Sequence, residues 1–319
     1  MGAACCGSKV LKHVRVADVS RVPMGMIPPT YQTDQDIENN WNKELNLYQD
    51  SNNPISTFKE QNFTKFRSLI YNGTPKSLRF EIWQQALNIN SDEISVENLL
   101  DSNLSTSLSD IEKDITRTFP ANPLFSTELG QKTLKEVLLA FANHRPNIGY
   151  CQGMNYIAAT FLITCNGDRN SAFYIMNCVL SKFGAERLFE KGFPLVKELC
   201  SKFHNSLRSA KPNIEAHILK HNFDDALWLT KWFITMFTYS FSYETVVRFW
   251  DGVFTKGIRF MINISLAIVE MIESEILKRD LPLLSEYFSG IGQRYLNIDL
   301  IMKNALKYDV QIDNNDQAV

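Results

Sequence analysis

The sequence predicts an all-α fold, and three observations predict it. From Phe58 onward, apolar residues recur at three- and four-residue spacing almost without interruption. Sustained alternation at period two is scarce. No strand–helix–strand rhythm runs through the chain, so a parallel sheet has no support. With 319 residues, the chain is long enough for one large domain or two lobes around a substantial core.

The elements follow in order. Residues 1–57 read as a mostly unstructured tail and linker, with Pro23, Pro28, Pro29, Pro54 and polar runs such as Asn39-Asn40. Trp41, Leu45 and Tyr48 fall at i, i+4, i+7, so one helix interrupts that tail. Phe63, Phe66 and Ile70 form one apolar stripe, stopped by Gly73-Thr-Pro75. Leu78, Ile82 and Leu87 line the next helix, with Arg79 and Trp83 one turn apart. A polar, serine-rich loop with room for a short helix covers 91–108. Ser109-Asp-Ile-Glu112 has capping-box spacing and opens a helix whose inward face is Ile111 and Ile115, with Phe119 a candidate third member. Pro120 and Pro123 end it, which leaves Arg117 in or just past the last turn, off the buried stripe.

Leu134, Val137, Leu138 and Phe141 make the strongest amphipathic pattern of the first half. Pro146 and Gly149 break it, and an apolar helix follows over 154–164. Further helices are predicted over 171–183, 194–207, 212–221, 226–241, 243–253 and 258–276. The expected domain therefore runs over 58–310, with lobes of about 58–165 and 166–310, and a polar C-terminal tail over 311–319.

Composition excludes several classes of function. Hydrophobic residues make up 45% and charged residues 21%, the balance of an ordinary soluble protein. A net charge of −2 provides no basic surplus for nucleic acid. Cys5, Cys6, Cys151, Cys165, Cys178 and Cys200 contain no CxxC pair, which favours reduced thiols in a cytosolic protein. No apolar run reaches the roughly 18 residues of a membrane-spanning helix. The start, Met1-Gly2-Ala-Ala-Cys5-Cys6, instead reads as an acylation site: Gly2 for myristate, Cys5 and Cys6 for palmitate. Cys6 replaces the usual Ser or Thr of the myristoylation pattern. Two acyl chains hold a membrane stably where one does not. Lys9, Lys12, Arg15 and Arg21 add attraction to anionic lipid. The expectation is a cytoplasmic protein held peripherally at a membrane surface by its N-terminus.

Few residues survive as carriers of chemistry. No GxxxxGK[ST] run is present, so the chain does not read as a nucleotide binder. His217 and His221 stand four apart but lack a third ligand at metal-site spacing, and no metal is expected. Cys151, with His144 upstream, has no local signature of an activated thiol. Asp224-Asp225 reads as a charge pair at a helix N-terminus. Trp83, Trp228, Trp232 and Trp250 read as core, with Arg79 packed near Trp83. Arg117 and Gln152 remain. Asp114, three residues before Arg117 on the same helix, can hold the arginine stem or a nearby backbone group by charge-assisted hydrogen bonds. Gly149 and Gly153 flank Gln152 and permit a tight turn. A guanidinium and a carboxamide presented together suit the support of a phosphoryl transfer that belongs to a partner.

Several ordered motifs resemble the TBC domain of Rab GTPase-activating proteins. They are Gly73-Thr-Pro75 followed by Arg79-x-x-x-Trp83, then Ile111-x-x-Asp114-x-x-Arg117-Thr-Phe-Pro120, then Gly149-Tyr150-Cys-Gln152-Gly-Met-Asn155. Trp232-Phe233 and Arg248-Phe-Trp250-Asp251-Gly252, followed by Gly257, resemble that family's downstream signature. Ser240-Phe241-Ser242 departs from it where many members carry a proline. The resemblance implies a two-lobed multi-helix domain that activates a GTP-bound Rab GTPase in membrane traffic. It implies Arg117 as an arginine finger and Gln152 as a glutamine finger. Tyr150 and Asn155 would lie close by, and Asp114, Arg79 and Trp83 would act more as scaffold. GTP and Mg²⁺ would be the partner's, with no cofactor and no independent enzymatic activity of the chain's own. The rival expectation is an inert scaffold or effector that binds GTPases without catalysing.

Overall fold

The computed structural model describes residues 34–89, 94–101 and 107–308. All regular elements there are helical, with no strand among the described residues. The expected all-α class holds. No described helix is long and apolar enough to cross a membrane.

The first half contains α1 (Asp34–Leu45), α2 (Pro54–Gln61), α3 (Phe63–Asn72), α4 (Arg79–Leu87), α5 (Val96–Asp101), α6 (Leu108–Ile115), α7 (Glu128–His144), α8 (Met154–Thr164) and α9 (Arg169–Lys182). Asn53 and Asn62 cap α2 and α3 by accepting from Ser56 N and Lys65 N, satisfying amides that a helix start leaves unpaired. The expected tail over 1–57 needs correction at its inner end. Trp41 of α1 is buried edge-on against Phe58 and Phe66, with ring centroids 6.1 and 5.7 Å away. Its Nε1 donates to Gly73 O at 2.9 Å. A buried indole with its N–H satisfied belongs to a core, so α1 is part of the packed structure.

The second half contains α10 (Pro194–Ala210), α11 (Pro212–Lys220), α12 (Leu229–Ile234), α13 (Tyr243–Lys256), α14 (Phe260–Met271), α15 (Glu273–Ile276), α16 (Leu281–Ser289) and α17 (Ile298–Ala305). The single helix predicted over 226–241 is instead a short 3-10 turn, then α12, then irregular chain. Met236 and Phe237 have φ of +47° and +72°, left-handed values that end a helix. The predicted 258–276 helix similarly breaks at Ile272 between α14 and α15.

No gap in packing marks the expected lobe boundary at 165. α9 packs on α7 and α8, while α13 packs on both α3 and α14. The buried apolar side chains form one cluster from Trp41 to Ala305. Asp251 of α13 pins the two halves together from a fully buried position. Its carboxylate accepts from Thr74 N at 3.1 Å, Thr74 Oγ1 at 2.7 Å and Trp83 Nε1 at 2.7 Å. Burial pushes the Asp251 carboxyl up, while Arg79, Arg248 and these hydrogen bonds pull the other way. Arg79 donates to Thr74 O at 2.5 Å and lies 5.9 Å from the Trp83 ring centroid. The Arg79–Trp83 pair thus serves the α4–α13 contact.

Candidate functional site

Arg117 follows α6 by two residues, in a turn closed by Arg117 N to Asp114 O at 3.3 Å and Thr118 N to Ile115 O at 3.1 Å. The capping box expected at Ser109 does not form, because α6 starts two residues earlier, after Ser107. The Ser107 hydroxyl is used elsewhere: it accepts from Tyr150 N at 3.2 Å. That bond ties the start of α6 to the second segment.

The second segment leaves α7 at Arg145 and reaches α8 through a turn. Arg145 O accepts from Gly149 N at 2.8 Å, and Gly149 takes φ of +65°. Gly153 caps α8 at φ of +111°, a backbone that an L side chain adopts only under strain. Between these glycines Gln152 is exposed. The two segments meet at an open cleft of about 600 Å³ lined by Asp110, Lys113, Asp114, Arg117, Tyr150 and Gln152. Arg117 and Gln152 therefore face the same space.

Asp114 organises the cleft floor. It is 5% exposed, and its Oδ1 accepts from Arg117 Nε at 2.9 Å and Nη2 at 2.6 Å. The Tyr150 hydroxyl donates to Asp114 Oδ2. The hydrogen bond to Asp114 raises the Arg117 pKa further, so the guanidinium stays charged at any working pH. Burial, then the bond to Asp114, pushes the Tyr150 hydroxyl up, so it remains a donor. The Arg117 side chain keeps 50% of its surface in solvent while its carboxylate partner keeps 7%. The site is thus a charged group with a buried anchor and an open end.

Asn155 lies beneath the cleft at 0% exposure and supports the turn without lining it. Arg79 and Trp83 lie apart from the cleft lining, at the Asp251 contact described above. Ser107 and Thr118 carried no signal as isolated polar residues, yet both join the two segments. Thr118 stands next to Arg117 in the motif, which was its one available cue.

The discarded candidates resolve into ordinary structure. Burial, then the Asp114 carboxylate, pushes the Cys151 thiol up, the reverse of what a nucleophile requires. His217 and His221 rings lie 4.4 Å apart, and His217 Nε2 sits 2.7 Å from Arg279 O. Among the described residues, no group of three or more His, Cys, Asp or Glu could hold a metal. Asp224 Oδ1 accepts from Ala226 N at 2.7 Å as a cap, while Asp225 pairs with His204 at 2.8 Å. Trp228, Trp232 and Trp250 are buried. Gly2, Cys5 and Cys6 lie outside the described residues.

Comparison with known proteins follows the same lines. Two solved structures share the fold: the Chlamydomonas flagellar RabGAP TBC domain and the Ypt/Rab-GAP domain of Gyp1p. The first superposes with a TM-score of 0.71 over 91% of this chain and 99% of its own, at 24% identity. The second has a TM-score of 0.73 over 86% of this chain and 98% of its own, at 16% identity. The GTPase-activating protein GYP5 of Saccharomyces cerevisiae is 29% identical over 66% of this chain and 23% of its own length. The Drosophila melanogaster TBC1 domain family member whacked is 28% identical over 67% of this chain. The chain spans 60% of that fly protein, so it matches only part of these curated relatives. The sequence profile of the Rab-GTPase-TBC domain matches residues 76–277, from just before α4 to the residue after α15, with both cleft segments inside it. With that profile covering well over half its length, the chain belongs to the Rab-GTPase-TBC domain family.

Proposed function

We propose that this protein is a GTPase-activating protein for a Rab-type small GTPase and supplies two catalytic groups in trans. The observation that carries the reading is that Arg117 and Gln152 line one open cleft, one charged and anchored, the other exposed on a glycine-bounded turn. The partner brings GTP and its Mg²⁺. Docking covers the cleft and removes water from it. Arg117 then meets the phosphate oxygens as negative charge grows on them, while Asp114 holds its Nε edge. The Gln152 carboxamide orients the attacking water by accepting a hydrogen bond from it and donating one to an adjacent oxygen. Tyr150 acts through Asp114 and Asn155 acts through the turn.

The size of the effect fits groups supplied to a nucleotide that a partner holds. An arginine supplied in trans is worth about 10³–10⁵ in rate. That equals about 4–7 kcal/mol at roughly 1.4 kcal/mol per decade. A guanidinium reaches that range only where water is excluded, because solvent screening weakens it at an open surface.

Single-turnover GTP hydrolysis across a panel of purified Rab GTPases tests the reading. Wild type accelerates at least one member, and Arg117→Ala or Gln152→Ala loses at least ~10²-fold on it. Arg117→Lys loses nearly as much as Arg117→Ala. Full activity in both alanine variants refutes the two-group assignment. Binding of GTP-loaded Rab without any gain in hydrolysis makes the chain a scaffold instead. We further propose acylation at Gly2, Cys5 and Cys6 as the membrane anchor. Gly2→Ala then moves the protein from the membrane pellet to the supernatant, and unchanged fractionation removes the anchor from the proposal.

A further inference from the structure

The segments bearing Arg117 and Gln152 are joined by more than the Tyr150–Asp114 bond. Both ends of the buried Asn155 carboxamide are in use. Its Oδ1 accepts from Gly153 N at 3.0 Å, and its Nδ2 donates to Thr118 Oγ1 at 2.7 Å. The Thr118 hydroxyl in turn donates to Asp114 O at 2.6 Å. One hydroxyl therefore accepts from the Gln152 segment and donates into the Arg117 segment. Thr118 is 1% exposed, so this hydroxyl is shut away from any docked partner.

The placement of these anchors along the chain matters. Arg117 lies between Asp114 and Thr118 in sequence, and Gln152 lies between Tyr150 and Asn155. Tyr150 is bonded to Asp114, and Asn155 is bonded to Thr118. Each cleft side chain is thus flanked by two anchors, and the anchors pair across the segments. The Ser107 and Asp114 bonds both end on Tyr150, so by themselves they leave one hinge about which the two turns can rotate. The Thr118–Asn155 bond lies beyond Arg117 and Gln152 along both segments, away from Tyr150, and so opposes that rotation.

We infer that Thr118 is a positioning residue whose hydroxyl sets the spacing between Arg117 and Gln152, and that it governs turnover without contributing to GTPase affinity. This rests on the proposed GTPase-activating function. A catalytic group displaced by about 1 Å costs about 10²-fold. The hydroxyl is the active feature. Thr118→Val keeps the side-chain shape but removes both the donor and the acceptor, whereas Thr118→Ser keeps them.

The test uses the full chain and the most responsive Rab GTPase, over a concentration series that reaches saturation, in wild type, Thr118→Val, Thr118→Ser, Arg117→Ala, Gln152→Ala and the Thr118→Val/Gln152→Ala double variant. Thr118→Val lowers kcat by about ten- to a hundredfold with KM within about twofold, and Thr118→Ser restores most of it. In the Gln152→Ala background the further loss from Thr118→Val shrinks to less than about threefold, because there is no second group left to register. This cycle separates positioning from general damage to the fold, which costs the same factor in either background. Retained kcat in Thr118→Val, a loss confined to KM, equal loss in Thr118→Ser, or full additivity with Gln152→Ala each overturns the inference, even while Arg117→Ala still abolishes activity. A wild type inert toward every Rab tested overturns the functional reading and this inference with it.

Discussion

Tyr150→Phe isolates one hydrogen bond at the centre of the cleft. The substitution removes the hydroxyl that donates to Asp114 Oδ2 and leaves the ring. Asp114 then keeps only Arg117, whose two bonds both fall on Oδ1. Those bonds come from a side chain that is 50% exposed, so solvent screens them and they compensate the buried carboxylate weakly. A hydrogen bond to a charged group is worth about 1.5–3 kcal/mol, and an oxygen left unpaired in a buried site costs toward the upper end. The expected loss is therefore about 2–3 kcal/mol. At roughly 2 °C per kcal/mol for a large domain, the melting temperature falls by about 4–6 °C. Urea unfolding gives the free energy and thermal melting the temperature. The Tyr150 hydroxyl stays protonated, since burial and Asp114 raise its pKa, so the loss is the same at pH 6 and pH 8. A change below about 0.5 kcal/mol refutes the reasoning, because it means Asp114 Oδ2 finds an equal donor in water.

Three further outcomes are expected. Gly153→Ala forces a side chain onto φ of +111° and places its Cβ 3.4 Å from Thr235 Cγ2, so it destabilises by about 1–3 kcal/mol and lowers the single-turnover rate; unchanged stability in a urea titration contradicts this. Trp83→Phe removes a 2.7 Å donor from the fully buried Asp251 and costs about 3 kcal/mol or more by the same titration, while the folded fraction keeps its turnover because Trp83 does not line the cleft. At His204 burial opposes the charge, but its hydrogen bonds to Asp225 and Glu215 outweigh it and raise the pKa to about 9. A pKa raised in the folded state adds stability that is complete below about pH 6.5 and disappears as pH rises through about 9. Relative to His204→Gln, wild type should lose melting temperature between pH 6.5 and 9; an equal slope in the two proteins removes His204 from the account.

Much of the site could be read from the sequence because its parts are local. Arg117 and Gln152 were marked by their neighbours: a carboxylate one turn before the first, a glycine on each side of the second. The all-α class followed from periodicity, which depends on residues three and four apart. What escaped depended on distant partners. Trp41 looked like part of a tail because the aromatic rings that bury it lie on α2 and α3. The 226–241 helix looked continuous because the left-handed turn at Met236 and Phe237 is carried by residues with no intrinsic preference for it; tertiary packing sets it. Trp250 Nε1 donates to Met236 O at 2.9 Å, a contact from α13 that holds this turn in place. The capping box at Ser109 failed for a related reason. Its spacing was right, but α6 begins after Ser107, whose hydroxyl is committed to Tyr150 N on another segment.

The same distinction between local and distant contacts explains how Arg117 can be both held and available. A guanidinium carries five N–H donors in one plane. Asp114 takes one from Nε and one from Nη2, and both go to a single oxygen. Three donors remain, on a side chain half open to the cleft. The buried carboxylate therefore fixes where the plane lies without using up its capacity. An ammonium has three donors on a single nitrogen in place of that flat fork, so it must reach both the anchor and the cleft from one point and cannot hold a fixed plane. Under the proposed function, arginine at this position serves two anions at once, Asp114 within the chain and the phosphate brought by the partner.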